Sequence, residues 1–291
     1  MVERKKVGVA LGSGGARGMA HIGVLKVLEE NNVPIDFLAG SSIGAIIGAL
    51  YSKSPNAKII EKKAQNINWR KIFDYTFPKK GLIKGEKIKK ILEESLEDSQ
   101  FKDLAIPLWI TAFDLEGNQE VVFHKGDVIK AVRASISIPG VFVPVENKGR
   151  VLVDGGLVDP LPTEVLRRNG ADIVIAVNVN KMKFNKKVAK DEAVKEEDEN
   201  KIPNIFEITT KAIHTVGYEI SEMDEKECDA DFIIDVNFED KRAMDFSGID
   251  DIIDKGENTA RKSLKKIRDL TKAHPFKDFL EKINENLGIK D

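Results

Sequence analysis

This chain of 291 residues has a single cysteine, Cys228, so no intramolecular disulfide is available and a reducing compartment suits it. No apolar run approaches the ~18 residues a membrane span needs. The first residues, Met1-Val2-Glu3-Arg4-Lys5-Lys6, enter a strand pattern without an apolar leader. These absences predict a cytoplasmic protein, with peripheral contact at a membrane left open. A surplus of charge is missing too. The formal net charge of −2 gives no polyanion-binding signature, so no nucleic-acid partner is expected. The four histidines, His21, His124, His214 and His274, are scattered along the chain. With one cysteine they form no clustered ligand set, and no metal is expected.

What is present suits an enzyme with a sizeable core: 42% of the residues are hydrophobic. Charged residues make up 32%, rich in Lys and Glu, and there are only three glutamines, a usage resembling that of thermophiles. Strand and helix patterns alternate through the first 180 residues. That predicts an α/β protein with a mostly parallel central sheet and helices on both faces, a three-layer α/β/α architecture. Beyond residues 6–11 and 34–39, strand patterns fall at 107–113, 121–123, 172–179 and 231–236. Helical patterns fall at 57–65, 86–96, 128–134, 163–168, 205–223 and 249–270. One domain over 1–272 is expected, interrupted by a charged mobile insert at about 181–203 and followed by a helical tail at 273–291.

The most informative stretch is Gly40-Ser41-Ser42-Ile43-Gly44, a G-x-S-x-G pentapeptide between a strand pattern (Pro34 to Ala39) and a helix pattern (Ala45 to Leu50). On such a turn a serine hydroxyl is pushed out of the sheet at a helix N-terminus, and Gly40 and Gly44 relieve the crowding. The helix end favours developing negative charge, which suits a nucleophile. The alternative is an ordinary turn with Ser42 as a helix cap.

A second cluster, Gly12-Ser13-Gly14-Gly15-Ala16-Arg17-Gly18, joins the first strand pattern to a helix that begins at Met19. Backbone N–H groups in such a loop hold phosphate in some proteins and an acyl oxyanion in others. A dinucleotide fingerprint needs glycine at the sixth place, where Arg17 stands, and no Gly-Lys-Ser/Thr of a P-loop occurs. The oxyanion reading fits better, because adjacent parallel strands would bring this loop to the Ser42 turn. A third element, Val151-Leu152-Val153-Asp154-Gly155-Gly156, carries Asp154 to a strand end. A Ser…Asp…His triad would need His214 or His274, whereas His21 reads as packed in the first helix. A Ser–Asp dyad fits the residues better. Its base would titrate as a carboxylate, with no histidine-like ionisation near the usual ~6.5.

The run Gly14 to Gly18, the pentapeptide at Ser42 and Asp154-Gly155-Gly156, in this order, resemble the patatin-like phospholipase family. Residues 134–142 and Asp159-Pro160-Leu161-Pro162 resemble its bacterial and archaeal branch. The resemblance covers about 5–180, and more loosely reaches 270. It implies a serine hydrolase that cleaves fatty acyl esters of lipids without a cofactor. Ser42 would be the nucleophile and Asp154 the base. The amides of Gly14, Gly15 and Ala16 would form the oxyanion hole, with Arg17, Gly40, Gly44, Gly155 and Gly156 in support. Arg17 would steady the glycine loop. Ser13 stands where the family's first loop glycine usually lies, which leaves the donor set open. The alternatives are a regulatory or interaction protein on the same fold and, less favoured, a nucleotide-binding oxidoreductase.

Two further stretches bear on the substrate. Ser135 to Val145 reads as a wall of an acyl pocket or as a buried connection. Trp69, Phe73, Tyr75 and Phe77 alternate with Arg70, Lys71, Lys79 and Lys80, the pattern of a segment at a lipid interface or of a packed surface lid. A lipid or ester substrate is the expected partner; the sequence sets no oligomeric state.

Overall fold

The computed structural model describes residues 4–72, 74, 83–180, 212, 215, 228–238 and 241–272. The expected insert, the helix pattern at 205–223 and the tail therefore lie essentially outside the described residues. The elements follow in the order β1 (Val7–Leu11), a 3-10 turn (Gly15–Met19), α1 (Ala20–Glu30), β2 (Phe37–Ser41), α2 (Ile43–Lys53), α3 (Ala57–Asn66) and α4 (Glu86–Leu96). Then come β3 (Leu108–Asp114), β4 (Gln119–Phe123), α5 (Val128–Ser135), β5 (Val145–Asn147), β6 (Arg150–Asp154), a 3-10 turn (Gly155–Leu157) and α6 (Glu164–Arg168). β7 (Ile173–Asn178), β8 (Phe232–Asp235) and the long α7 (Ile249–Thr271) complete the described chain.

The eight strands form one sheet in the order β5-β6-β3-β2-β1-β7-β8, with β4 also on β3. The strands from β3 to β8 in this order run parallel, and β4, β5 and β6 make the antiparallel end. Successive side chains of a strand point to opposite faces. Val7, Val9 and Leu11 of β1, Leu38 of β2 and Ile173, Ile175 and Val177 of β7 share one core with residues of α1 to α5 and α7. The intervening Ala10, Ala39, Val174 and Ala176 meet Leu161, Leu166 and Ala171 on the α6 side. The three layers are therefore unequal. One face carries the extensive core and the other a smaller cluster under α6.

β2 starts and ends later than the sequence pattern suggests, at Phe37–Ser41 instead of 34–39. Gly40 and Ser41, which read as turn, remain in the ladder because β3 pairs them with Ile110 and Thr111. The sharp turn is thus at Ser42 itself. The helix expected from Met19 is preceded by a 3-10 turn that carries the glycine loop into α1.

The topology explains how two residues 112 positions apart in sequence meet. β4 pairs with β3 along Ile110–Asp114 and takes one edge of that strand. β2 pairs with Leu108–Thr111 and β6 with Ala112–Asp114, so these two must share the other edge, end to end. Ser41 lies opposite Thr111, and Asp154 lies opposite Ala112. The chain leaves the sheet at Ser42 where β6 arrives with Asp154.

Candidate active site

Ser42 sits between β2 and α2 with φ 54° and ψ −120°, a backbone conformation rare for a residue with a side chain. Such a conformation costs about 1–3 kcal/mol and persists only where the surroundings impose it. Here the imposition is close packing. A Cβ on Gly44 would overlap the Leu11 carbonyl, and one on Gly40 would press on the Gly44 carbonyl. Any side chain at Gly44 would push α2 off the end of β1. The turn aims the Ser42 hydroxyl at Asp154, to which it donates a hydrogen bond of 2.6 Å. The other carboxylate oxygen accepts the Gly156 N–H at 2.8 Å. Gly155 is packed so tightly on the backbone of Thr111 that a Cβ there would overlap it.

Ser42 and Asp154 are both buried. Burial pushes the Asp154 carboxyl up to about 7, although the hydrogen bonds from Ser42 and Gly156 pull it down. Removal from water disfavours the charged form, and here that effect is the larger one. This changes the sequence expectation for the pH profile. The carboxylate titrates where an ordinary histidine would, so an ionisation near 7 does not by itself indicate histidine.

The glycine loop lies beside this pair, since β1 and β2 are parallel neighbours. Gly12 and Ser13 spend their N–H groups on Val177 and Pro160 carbonyls. The N–H groups of Gly14 and Gly15 meet no acceptor among the described residues, as expected for the first donors of a helical turn. Ala16 differs from the sequence expectation. Its N–H donates to the Ala243 carbonyl at 2.6 Å, so as it stands it is not a free donor. That carbonyl sits against Gly15, which has φ 58° and no room for a side chain.

Arg17 is buried to 1% exposure, and burial lowers its guanidinium to about 10, so it stays cationic at neutral pH. Its Nε donates to the Gly14 carbonyl at 3.3 Å and its Nη2 to Asn180 Oδ1 at 2.9 Å. Asn180 in turn donates to Ser13 Oγ at 2.9 Å. The contacts tie the loop to the end of β7. His21 is buried 2.8 Å from the Gly12 carbonyl, and burial lowers it to about 4. It is a neutral, packed ring. His124 is exposed beyond β4, while His214 and His274 lie outside the described residues.

An apolar cavity of about 100 Å³ opens from Ser42. Three helices line it at helical spacing: Ile43, Ile46, Ile47 and Leu50 of α2, Ile60, Ala64 and Ile67 on and after α3, and Ile88, Ile91 and Leu92 of α4. Ile136, Ile138 and Phe142 complete the wall, so the 135–145 stretch both lines the cavity and packs in a small core of its own. Trp69 is held inward. It stacks on Phe246 at 4.7 Å between ring centres and donates from Nε1 to Ala64. It is therefore part of the cavity wall and not a free ring for lipid. Phe73, Tyr75, Phe77, Lys79 and Lys80 lie outside the described residues.

Sequence reading missed three contributors: Asn180, Ala243 and Ser135, whose Oγ accepts the Ser42 N–H at 2.9 Å. Asn180 and Ala243 lie in none of the motifs, and Ser135 lies in the 134–142 stretch without showing its partner; each acts through a contact that only the fold creates. Among the described residues, no cluster of three or more His, Cys, Asp or Glu could hold a metal ion. Among them, too, no helix is long and apolar enough to cross a membrane.

A serine on a strained turn, a buried carboxylate bonded to it and a glycine loop thus lie together where the strands end. The family model for patatin-like phospholipases matches residues 9–167, more than half of the chain, and the chain belongs to that family. It is 34% identical over 179 residues to Lysophospholipase NTE1 of Yarrowia lipolytica, covering 60% of this chain and 12% of that protein. It is 38% identical over 178 residues to an uncharacterised NTE family protein of Mycobacterium bovis, covering 60% of this chain and 49% of that one. The chain thus spans a small part of the fungal protein and about half of the mycobacterial one. The crystal structure of VipD from Legionella pneumophila shares the fold, with a TM-score of 0.60 at 14% identity over 91% of this chain and 67% of that one.

Proposed function

We propose that the protein is a serine acyl hydrolase that cleaves fatty acyl esters of lipids, with Ser42 as nucleophile and Asp154 as general base. The observation that carries this reading is the 2.6 Å hydrogen bond from Ser42 Oγ to a carboxylate pushed up to about 7, at the mouth of an apolar cavity. A base works best with a pKa near the operating pH. Ser42 Oγ attacks the ester carbonyl, and Asp154 Oδ2 takes its proton. The tetrahedral oxyanion rests on the N–H groups of Gly14 and Gly15, each typically worth about 10²–10³ in rate. The proton passes to the leaving alkoxide. Water then attacks the acyl-serine with Asp154 again as base, which frees the fatty acid.

The acyl chain lies along the α2 stripe from Ile43 to Leu50. The relatives' printed name, lysophospholipase, fits a substrate with one chain to bury. The aromatic and cationic segment after Trp69 is the proposed lipid contact. A series of p-nitrophenyl esters of rising chain length, followed by a panel of phospholipids and lysophospholipids, tests this. Turnover that rises with chain length and vanishes in Ser42→Ala is the expected outcome. Equal turnover in Ser42→Ala would remove the nucleophile assignment.

A further inference from the structure

Ser42 makes one backbone contact that the reaction itself does not require. At φ 54° its N–H has turned out of the ladder, because β2 ends at Ser41. It donates at 2.9 Å to Oγ of Ser135, the last residue of α5, whose side chain is fully buried. Two residues on, the Ser137 carbonyl accepts the Asp154 N–H at 3.0 Å. One turn of chain therefore holds the backbone amides of both partners.

That turn is itself fixed. Arg133 donates from Nη1 to Ser137 Oγ at 2.7 Å, and Ser137 Oγ donates back to the Arg133 carbonyl at 2.8 Å. Nη2 of Arg133 reaches the carbonyls of Lys84 and Val143 at 2.5 and 2.9 Å. Arg133 also lies over the Phe142 ring at 5.6 Å. The end of α5 is thus anchored on three sides before it touches the site.

We propose that Ser135 is a positioning residue for the nucleophile: the end of α5 sets the Ser42–Asp154 distance by holding both amides, at the Ser135 hydroxyl and the Ser137 carbonyl. This rests on the reading of Ser42 and Asp154 as nucleophile and base. The physical reason is strain. A positive-φ serine relaxes unless something holds it, and relaxation rotates Oγ away from the carboxylate. Removing the acceptor also leaves a buried N–H unpaired, which disfavours the productive turn further. Ser135 reaches the reaction only through Ser42.

The test is kcat per active site, with sites counted by fluorophosphonate titration on the full chain. Ser135→Ala is expected to lose about 10- to 100-fold in kcat per titrated site, the penalty typical of a misplaced reacting group. KM for a short-chain p-nitrophenyl ester and the rise of activity through pH 7 stay as in wild type, because Asp154 keeps its burial. Ser135→Cys preserves the volume and weakens the acceptor, so it loses kcat by a smaller factor. Ser52→Ala removes another fully buried hydroxyl, one with no hydrogen-bond partner among the described residues, and serves as the control that keeps wild-type kcat. A serine that only supports folding gives fewer titratable sites with normal kcat at each. Wild-type kcat per titrated site in Ser135→Ala, or in Ser135→Cys should the alanine form not fold, overturns the proposal. Full activity in Ser42→Ala overturns the dyad reading instead, so the two failures are distinct.

Discussion

The two faces of the sheet are filled by different means, and the candidate site draws on both. On the face of α1 to α5 and α7, Val, Leu and Ile from the strands meet Ile and Leu from the helices. Bulky residues on three separate helices leave an irregular space, and it opens at Ser42. On the α6 face the strands offer Ala10, Ala39, Val174 and Ala176 with Phe37, Trp109 and Ile233 partly buried beside them, and the buried cluster is smaller. On the α6 side the Ser13 N–H bonds the Pro160 carbonyl and anchors the glycine loop, whereas the Ser42 turn is set from the other face by α2 and α5. That other face gives room for an acyl chain. The face that holds the cavity therefore also sets the Ser42 turn, while the α6 face anchors the glycine loop.

The largest effect is expected at the site that joins the two. Ser42→Ala and Asp154→Asn should each lower kcat about 10⁴-fold or more while the fold persists, measured as ester turnover beside thermal melting. Asparagine keeps the shape and cannot take the serine proton. Retention of more than a few per cent of kcat in either variant would detach the residue from the chemistry.

The comparison between faces is broken next by adding bulk to each. Ala39→Leu on the α6 face should destabilise the protein by about 1–3 kcal/mol in denaturant unfolding, because no space exists for the extra atoms. It should also lower kcat on every ester, long or short, since β2 leads directly to Ser42. Ile46→Trp on the opposite face lines the cavity and should leave stability nearly unchanged. It should lower the turnover of long-chain relative to short-chain esters by about 10- to 100-fold. Equal chain-length profiles for Ile46→Trp and wild type would mean that the cavity does not hold the chain.

Arg17→Met should have a smaller effect. The contacts to Gly14 and Asn180 are lost, so kcat falls through a displaced glycine loop. Labelling of Ser42 by a small phosphonate should continue. Kinetics equal to wild type on all esters would leave Arg17 without a part in the loop.

A further effect is a linkage. The Asp154 carboxyl is raised in the folded protein, to about 7, above its unfolded value. Its folded form therefore holds the proton more tightly, and this contribution is fully present below the unfolded value near pH 4. It is lost as pH rises through about 7. The melting temperature of wild type relative to Asp154→Asn should accordingly fall between pH 4 and 8, whereas esterase activity rises over the upper part of that range. A difference that does not vary with pH would mean that Asp154 titrates as an ordinary exposed carboxylate.

Much of this was legible in the sequence, and for definite reasons. The alternation of Val7, Val9 and Leu11 with Gly8 and Ala10 identifies a two-sided strand. The three glycine-flanked motifs sit at strand ends, where local chemistry decides the turn. Ser42 and Asp154 stand out because each occupies such a turn. The edge they share on β3 did not stand out, because it follows from pairing between segments distant in the chain. The roles of Ser135, which stands inside the 134–142 motif, and of Asn180 did not show for the same reason: each bonds a segment distant in the chain. The carbonyl of Ala243 on the Ala16 N–H removed an expected donor through a contact 227 residues away in sequence. The upward shift of the Asp154 carboxyl was not legible, because a carboxylate's pKa depends on burial, which no single residue reveals.

The most direct measurement is the rate of fluorophosphonate labelling as a function of pH, with the labelled residue located by peptide mass spectrometry, in wild type, Asp154→Asn and His21→Gln. The expected result is modification at Ser42 at a rate that rises through about pH 7 in wild type and in His21→Gln, with almost none in Asp154→Asn. Labelling at another residue, or labelling of Asp154→Asn at the wild-type rate, would contradict the assignment of Asp154 as the base that activates Ser42.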